Sequence, residues 1–213
     1  MRIFPDIVLP VATDVLPDIL LAKHCSPTLA GIKTGNLFAA VFANEEERVR
    51  EIRRLNRLLN PAGLRAVLFC GRRNRTLIYL YRPAFLVRDL RDPEAQELLR
   101  ERGYRVENAA ACLNRLAVRI AEEGEFPHEI GLFLGYPPGD VRAFIERGAK
   151  APLITGVWKV YHDPEKAERI FEQYRQCTDI FCRKMEMGVP LRRLIVRTGR
   201  TEMIQYKKGK VSA

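Results

Sequence analysis

The chain has 213 residues, 47% of them hydrophobic and spread along its length, which is enough for one packed domain and excludes wholesale disorder. Charge interrupts every apolar stretch well short of the roughly 18 residues a membrane span needs. Residues 1–22, with Asp6, Asp14, Asp18 and three prolines, do not match a secretion signal. The formal net charge is +10, which raises the expectation of an anionic partner, although much of the charge falls in mixed-sign segments that a solvated surface explains equally well.

A short helix from about Leu16 is expected to lead to His24 and Cys25. Ser26-Pro27 then suit the N-cap and first turn of another. Asn44 before Glu45, Glu46 and Glu47 reads as an N-cap, with Val49, Ile52, Leu55, Leu58 and Leu59 at helical spacing until Asn60-Pro61-Ala62-Gly63. Leu64 to Cys70 and Thr76 to Tyr81 are β-prone runs around a basic loop holding Arg72, Arg73 and Arg75, which predicts a hairpin. Asp92-Pro93-Glu94 opens a helix that Gly103 ends, and Asn108 caps the next. Gly156 to Tyr161 reads as a strand, and Asp163-Pro164-Glu165 starts a long helix closed by Gly188. Its apolar side carries Ile170, Phe171, Tyr174 and Phe181. Leu191 to Thr198 reads as a last strand, before a tail with Lys207, Lys208 and Lys210. These elements predict an α+β or α/β fold: a small sheet including a hairpin at about 64–81, packed with several amphipathic helices. Residues 1–199 are expected to form a single globular domain and 200–213 a frayed basic tail, with no internal repeat.

The five cysteines, at 25, 70, 112, 177 and 182, form no dense framework and suit a reducing compartment, which points to the cytoplasm. Cys25 beside His24 and a helix N-terminus reads as an activated thiol, the fastest of the five toward iodoacetamide, or as an ordinary buried one. With His128 as base and Glu129 as its orienting acid, Cys25 would complete a nucleophilic site if the fold brought the three together. Cys177 and Cys182 are no metal pair. Five positions turn a helix by roughly 140° beyond one turn, which puts Cys177 on the apolar stripe and Cys182 well away from it. Gly31, Lys33, Thr34, Gly35 and Asn36 have the composition of an anion-cradling loop without the order of a Walker motif, so Lys33 and Asn36 are candidate ligand contacts. His24, Tyr136, Trp158 and Lys159 complete that candidate set. Residues 129–146 carry the apolar and glycine pattern of a helix-turn-helix, with Arg142 and Arg147 as cationic groups for duplex DNA.

Pro127-His128-Glu129 followed by Leu134-Gly135-Tyr136-Pro137 resembles an uncharacterised bacterial family, domain of unknown function 3793. The segments His24 to Lys33 and Trp158-Lys159-Val160-Tyr161 share the resemblance, which runs from about residue 20 to 188. It implies a stand-alone domain, mostly of anaerobic bacteria, and brings no activity. The leading functional reading is a small-molecule-binding or enzymatic protein with a polar site of Cys25, His128 and Glu129 and an anion contact from Lys33. The alternatives are a nucleic-acid-binding protein and an accessory protein docking an acidic redox partner. No motif specifies a cofactor.

Overall fold

The structure is a computed structural model that describes residues 8–9, 17–70, 76–122 and 126–197. Helix α1 (Asp18–Leu29) runs through Ser26-Pro27 and does not restart there. Pro27 sits near its end, where one missing N–H is a small loss against burying Leu21, Ala22, Cys25 and Leu29 on one face. The Pro27 carbonyl then accepts from the N–H groups of Ile32 and Lys33 at 2.9 and 3.1 Å, past Gly31 at φ +80°. Strand β2 (Gly35–Ala40) leads to α2 (Glu45–Leu59), whose Asn44 cap accepts from the Glu47 N–H at 2.9 Å, as expected.

Strands β3 (Arg65–Cys70) and β4 (Thr76–Tyr81) form the expected antiparallel hairpin, in register from Arg65 opposite Tyr81 to Cys70 opposite Thr76. Its loop, with Arg72, Arg73 and Arg75, lies outside the described residues, as does the tail from Thr198 onward. β2 pairs antiparallel with β4, and β1 (Val8–Leu9) adds a short parallel pairing to β2, giving the order β1-β2-β4-β3. The asparagine side chain of Asn56 closes the outer edge of β3 by bonding both the N–H and the C=O of Ala66, at 2.9 and 2.8 Å.

Helices α3 (Pro83–Asp89), α4 (Pro93–Glu101), α5 (Ala109–Ala121), α6 (Ile130–Phe133) and α7 (Pro138–Arg147) follow. The hairpin β5 (Ile154–Thr155) and β6 (Lys159–Val160), the long helix α8 (Pro164–Glu186) and the single turn α9 (Leu191–Leu194) complete the fold, which is α+β. Alternation along β4 sorts the core. Ile78 and Leu80 enter a cluster with α1, α2 and α8, while Tyr79 and Tyr81 enter a second cluster with α3 to α7. Trp158 and Val160 build a third with α8. No described helix is long and apolar enough to cross a membrane.

Two expected strands are not as read. The run from Gly156 is the turn and second arm of the β5–β6 hairpin, and Gly156 is required there because a Cβ would lie 2.3 Å from the Phe171 ring. The run from Leu191 begins as α9 after Pro190, and the extended chain beyond it docks through the Val196 N–H to the Leu29 carbonyl at 3.0 Å. Cys177 packs against the first core cluster as expected, but Cys182 packs against it too. The reason is that α8 lies against both α1 and α9, which cover more than one narrow stripe.

Candidate functional site

The loop from α1 to β2 is pinned from both sides. The Thr34 carbonyl accepts from the Arg82 N–H at 2.9 Å, and the Thr34 hydroxyl donates to the Asp89 carboxylate. Lys33 is thereby turned inward, and only 4% of it is exposed. Its Nζ lies 5.2 Å from the centroid of the Tyr136 ring and 6.0 Å from that of Tyr174. Among the described residues no hydrogen bond or ion pair reaches it. Burial pushes the Lys33 amine down to about 7, with the neighbouring Cys25 only partly opposing this.

A carboxylate that never touches Lys33 fixes the rings above it. Asp140, buried on α7, accepts from the Trp158 indole at 2.8 Å and from the N–H groups of Tyr161 and His162 at 2.8 and 3.0 Å. Trp158 is thereby oriented to stack on Tyr136, centroids 5.0 Å apart, with the edge of Phe171 at 4.6 Å. The Tyr136 hydroxyl donates to the Val157 carbonyl at 3.2 Å at an exposed position.

The structure brings together Lys33, Tyr136 and Trp158 of the expected set, and places Cys25 beside Lys33. It does not assemble Cys25 with His128 and Glu129. Cys25 packs in the cluster on one face of the sheet. Glu129 accepts from the Tyr104 hydroxyl at 2.8 Å and pairs with Arg119 at 2.7 Å on the other. His128, beside it, turns its ring edge to Phe144. Nor is Cys25 at a helix N-terminus. Inside α1 it is fully buried, and burial pushes its thiol up to about 12 against the pull of Lys33. His24 stacks on Phe38, and burial lowers its pKa further than Lys23 alone would. Asn36 accepts from the Thr28 hydroxyl at 2.7 Å, and Lys159 alternates with buried Trp158 and Val160 and so faces away from them.

The expected reactivity order therefore reverses. Cys25 and Cys112, both fully buried, are expected to be alkylated by iodoacetamide at neutral pH at least about 10-fold more slowly than Cys177 and Cys182, measured by peptide mass spectrometry. Cys25 labelling first would show that its thiol is open and activated. Among the described residues no group of three or more His, Cys, Asp or Glu side chains is placed to hold a metal ion.

The helix-turn-helix pattern folds as one turn, α6, followed by α7. Arg142 on α7 is engaged by Glu94, Glu97 and Glu101, at 3.9, 3.0 and 3.2 Å. Arg142 is thus engaged by α4, while Arg147 is exposed. Sequence reasoning missed Asp140, and it read Tyr174 only as core. A tyrosine on an apolar stripe, with a ring able to face a cation, was the available signal for the second; nothing local marks the first.

These same elements span a known family. Its profile, described as a protein of unknown function (DUF3793), matches residues 21–195. The chain belongs to the DUF3793 family. The match takes in most of α1, the three antiparallel strands β2, β3 and β4, Lys33, Tyr136, Asp140, Trp158 and Tyr174, and stops just before the stretch where Val196 docks. No curated protein and no solved structure matches this DUF3793 chain.

Proposed function

We propose that this DUF3793 protein is a cytoplasmic small-molecule-binding protein or enzyme, with Lys33 as the polar anchor of its ligand and Tyr136, Tyr174 and Trp158 as the apolar wall. The observation that carries this reading is a buried amine with no anion beside it among the described residues. Taking an ammonium out of water without a partner costs several kcal/mol, on the order of what a whole domain has to spare, and such groups concentrate where a ligand supplies the missing interaction. Flat rings around one cation suit a small anionic molecule with a planar or apolar body. The thiols of Cys25, Cys112, Cys177 and Cys182 are free, which supports the cytoplasmic assignment. A setting in anaerobic metabolism rests on the family resemblance.

Trp158 is the sole tryptophan and stacks on the ring above Lys33, so its fluorescence reports the site. Titration with benzoate, small oxo acids and phosphate monoesters is expected to give a saturable change for at least one class. Lys33→Met is expected to weaken it at least about 10-fold, the worth of one charge-assisted contact. A panel with no saturable response, or an unchanged response in Lys33→Met, would sink the reading.

One observation favours docking of an acidic partner instead. A surface groove of about 670 Å³ runs along α2, lined by Ile52, Arg53, Asn56, Arg57, Asn60 and Pro61, and Arg53 and Arg57 are exposed in it.

A further inference from the structure

We infer that Lys33 forms an imine with the carbonyl carbon of a small aldehyde or oxo acid, an inference that rests on Lys33 being the ligand anchor proposed above.

Among the described residues, nothing at the site would keep the amine charged. The carboxylates bonded to Thr34 and to Trp158 are committed elsewhere. Asp89 accepts from Thr34 and pairs with Arg88, while Asp140 is taken by the Trp158 indole and two backbone N–H groups. The neighbouring Cys25 opposes the loss of charge only in part, because burial in the apolar cluster under α1 pushes its thiol pKa up. An ammonium here would rest on the faces of two rings alone, and the neutral amine is the form such surroundings favour. At about 7, roughly half of the Lys33 side chains carry a free electron pair at neutral pH, against fewer than about one in a thousand for an ordinary lysine.

The position of that amine is also set before any ligand arrives. Lys33 is held by its own N–H to Pro27, and Thr34 after it is held by Arg82 and Asp89, so the stem enters the site from a fixed backbone. The Nζ electron pair attacks the carbonyl carbon, and one proton passes from Nζ to the carbonyl oxygen to give a carbinolamine. The hydroxyl then leaves with the second Nζ proton as water, and a C=N bond remains. No oxidant or reductant is needed. The apolar walls of Tyr136, Tyr174 and Trp158 oppose the reverse step by excluding water. They also select a carbonyl compound small or flat enough to lie against them.

The test uses the full chain at pH 7 with benzaldehyde and, separately, glyoxylate as probes, each with sodium cyanoborohydride to fix any imine as a secondary amine. Peptide mass spectrometry then locates the adducts. Lys33 is expected to be labelled at least about 10-fold faster than Lys23, Lys150, Lys159, Lys166 and Lys184 with at least one probe. Its rate is expected to rise with pH to a plateau above about 7, while theirs climbs toward 10. Lys33→Arg, which keeps a cation but offers no primary amine, is expected to lose the fast adduct, with folding checked by circular dichroism. Excess benzoate, which has no reactive carbonyl, is expected to slow Lys33 labelling in the wild-type chain, a control that needs no variant.

Surface lysines labelled as fast as Lys33 with both probes would overturn imine formation. If benzoate nonetheless changed Trp158 fluorescence in a Lys33-dependent way, the ligand-binding reading would survive that failure. If neither aldehyde nor carboxylate affected Trp158, both would fall together.

Discussion

Lys33→Met is expected to make the protein more stable, by roughly 3 kcal/mol at pH 7 and so by about 10 °C in Tm, while weakening ligand binding at least about 10-fold. The folded amine titrates near 7 and the unfolded one near its ordinary 10.5, so between those values only the unfolded chain holds that proton. Wild-type stability therefore rises with pH across this window, at up to about 1.4 kcal/mol per unit, and the advantage of the methionine shrinks in step. Cys25 acts in the opposite sense above about 9, where the unfolded thiol ionises and the folded one, near 12, does not. The comparison is thus cleanest from pH 7 to 9, by thermal melts of both proteins in matched buffers. Parallel curves over that range would show that Lys33 is solvated or paired, and the buried-amine argument would fail. A substitution that stabilises the fold and weakens binding is the signature of a group retained for function.

Arg82→Met is expected to do the reverse, costing about 3 kcal/mol and lowering Tm by about 10 °C, as judged by urea and thermal unfolding. Arg82 follows β4 and is 1% exposed. Its guanidinium donates to the carbonyls of Thr28 and Leu29, both at 2.7 Å, and of Val196 at 2.8 Å. It therefore holds the carbonyl end of α1 and the chain after α9 on the sheet, an arrangement that the negative end of the helix dipole favours. Methionine fills much of the volume but leaves these carbonyls without their donor. Burial lowers the Arg82 pKa to about 10, still well above neutral, so the group stays charged and the effect is flat from pH 6 to 8. Lysine at this position is expected to recover only part of the loss, because one ammonium cannot span three acceptors as a planar fork does. A loss below about 1 kcal/mol for Arg82→Met would show that the carbonyls find water or each other.

Much of this fold is legible in short stretches of chain. Asn44, Asp92, Asn108 and Asp163 cap the helices they precede, because a side-chain oxygen beside unsatisfied N–H groups acts within three residues and needs nothing distant. The β3–β4 hairpin is local in the same way, two β-prone runs separated by a short loop. Where local rules failed, distant burial outweighed them. Ser26-Pro27 has the chemistry of a helix start, yet α1 continues through it because Leu29 and Cys25 belong to one buried face. Leu191 to Thr198 has strand composition, yet after Pro190 it turns and docks on α1.

The candidate site divides along the same line. By itself the sequence determined the cationic loop at Lys33, the aromatic motif residues Tyr136 and Trp158, and the amphipathic stripe that carries Tyr174. It determined each residue's chemistry and the element that holds it. Only the tertiary structure decided that Lys33 points inward beneath Tyr136 and Tyr174, with Cys25 beside it and His128 and Glu129 elsewhere. Those partners lie 8 to 141 positions from Lys33 along the chain, and such contacts depend on how layers stack across a sheet. The same stacking took Lys33 out of water, and desolvation is a property of surroundings that no local pattern of residues records.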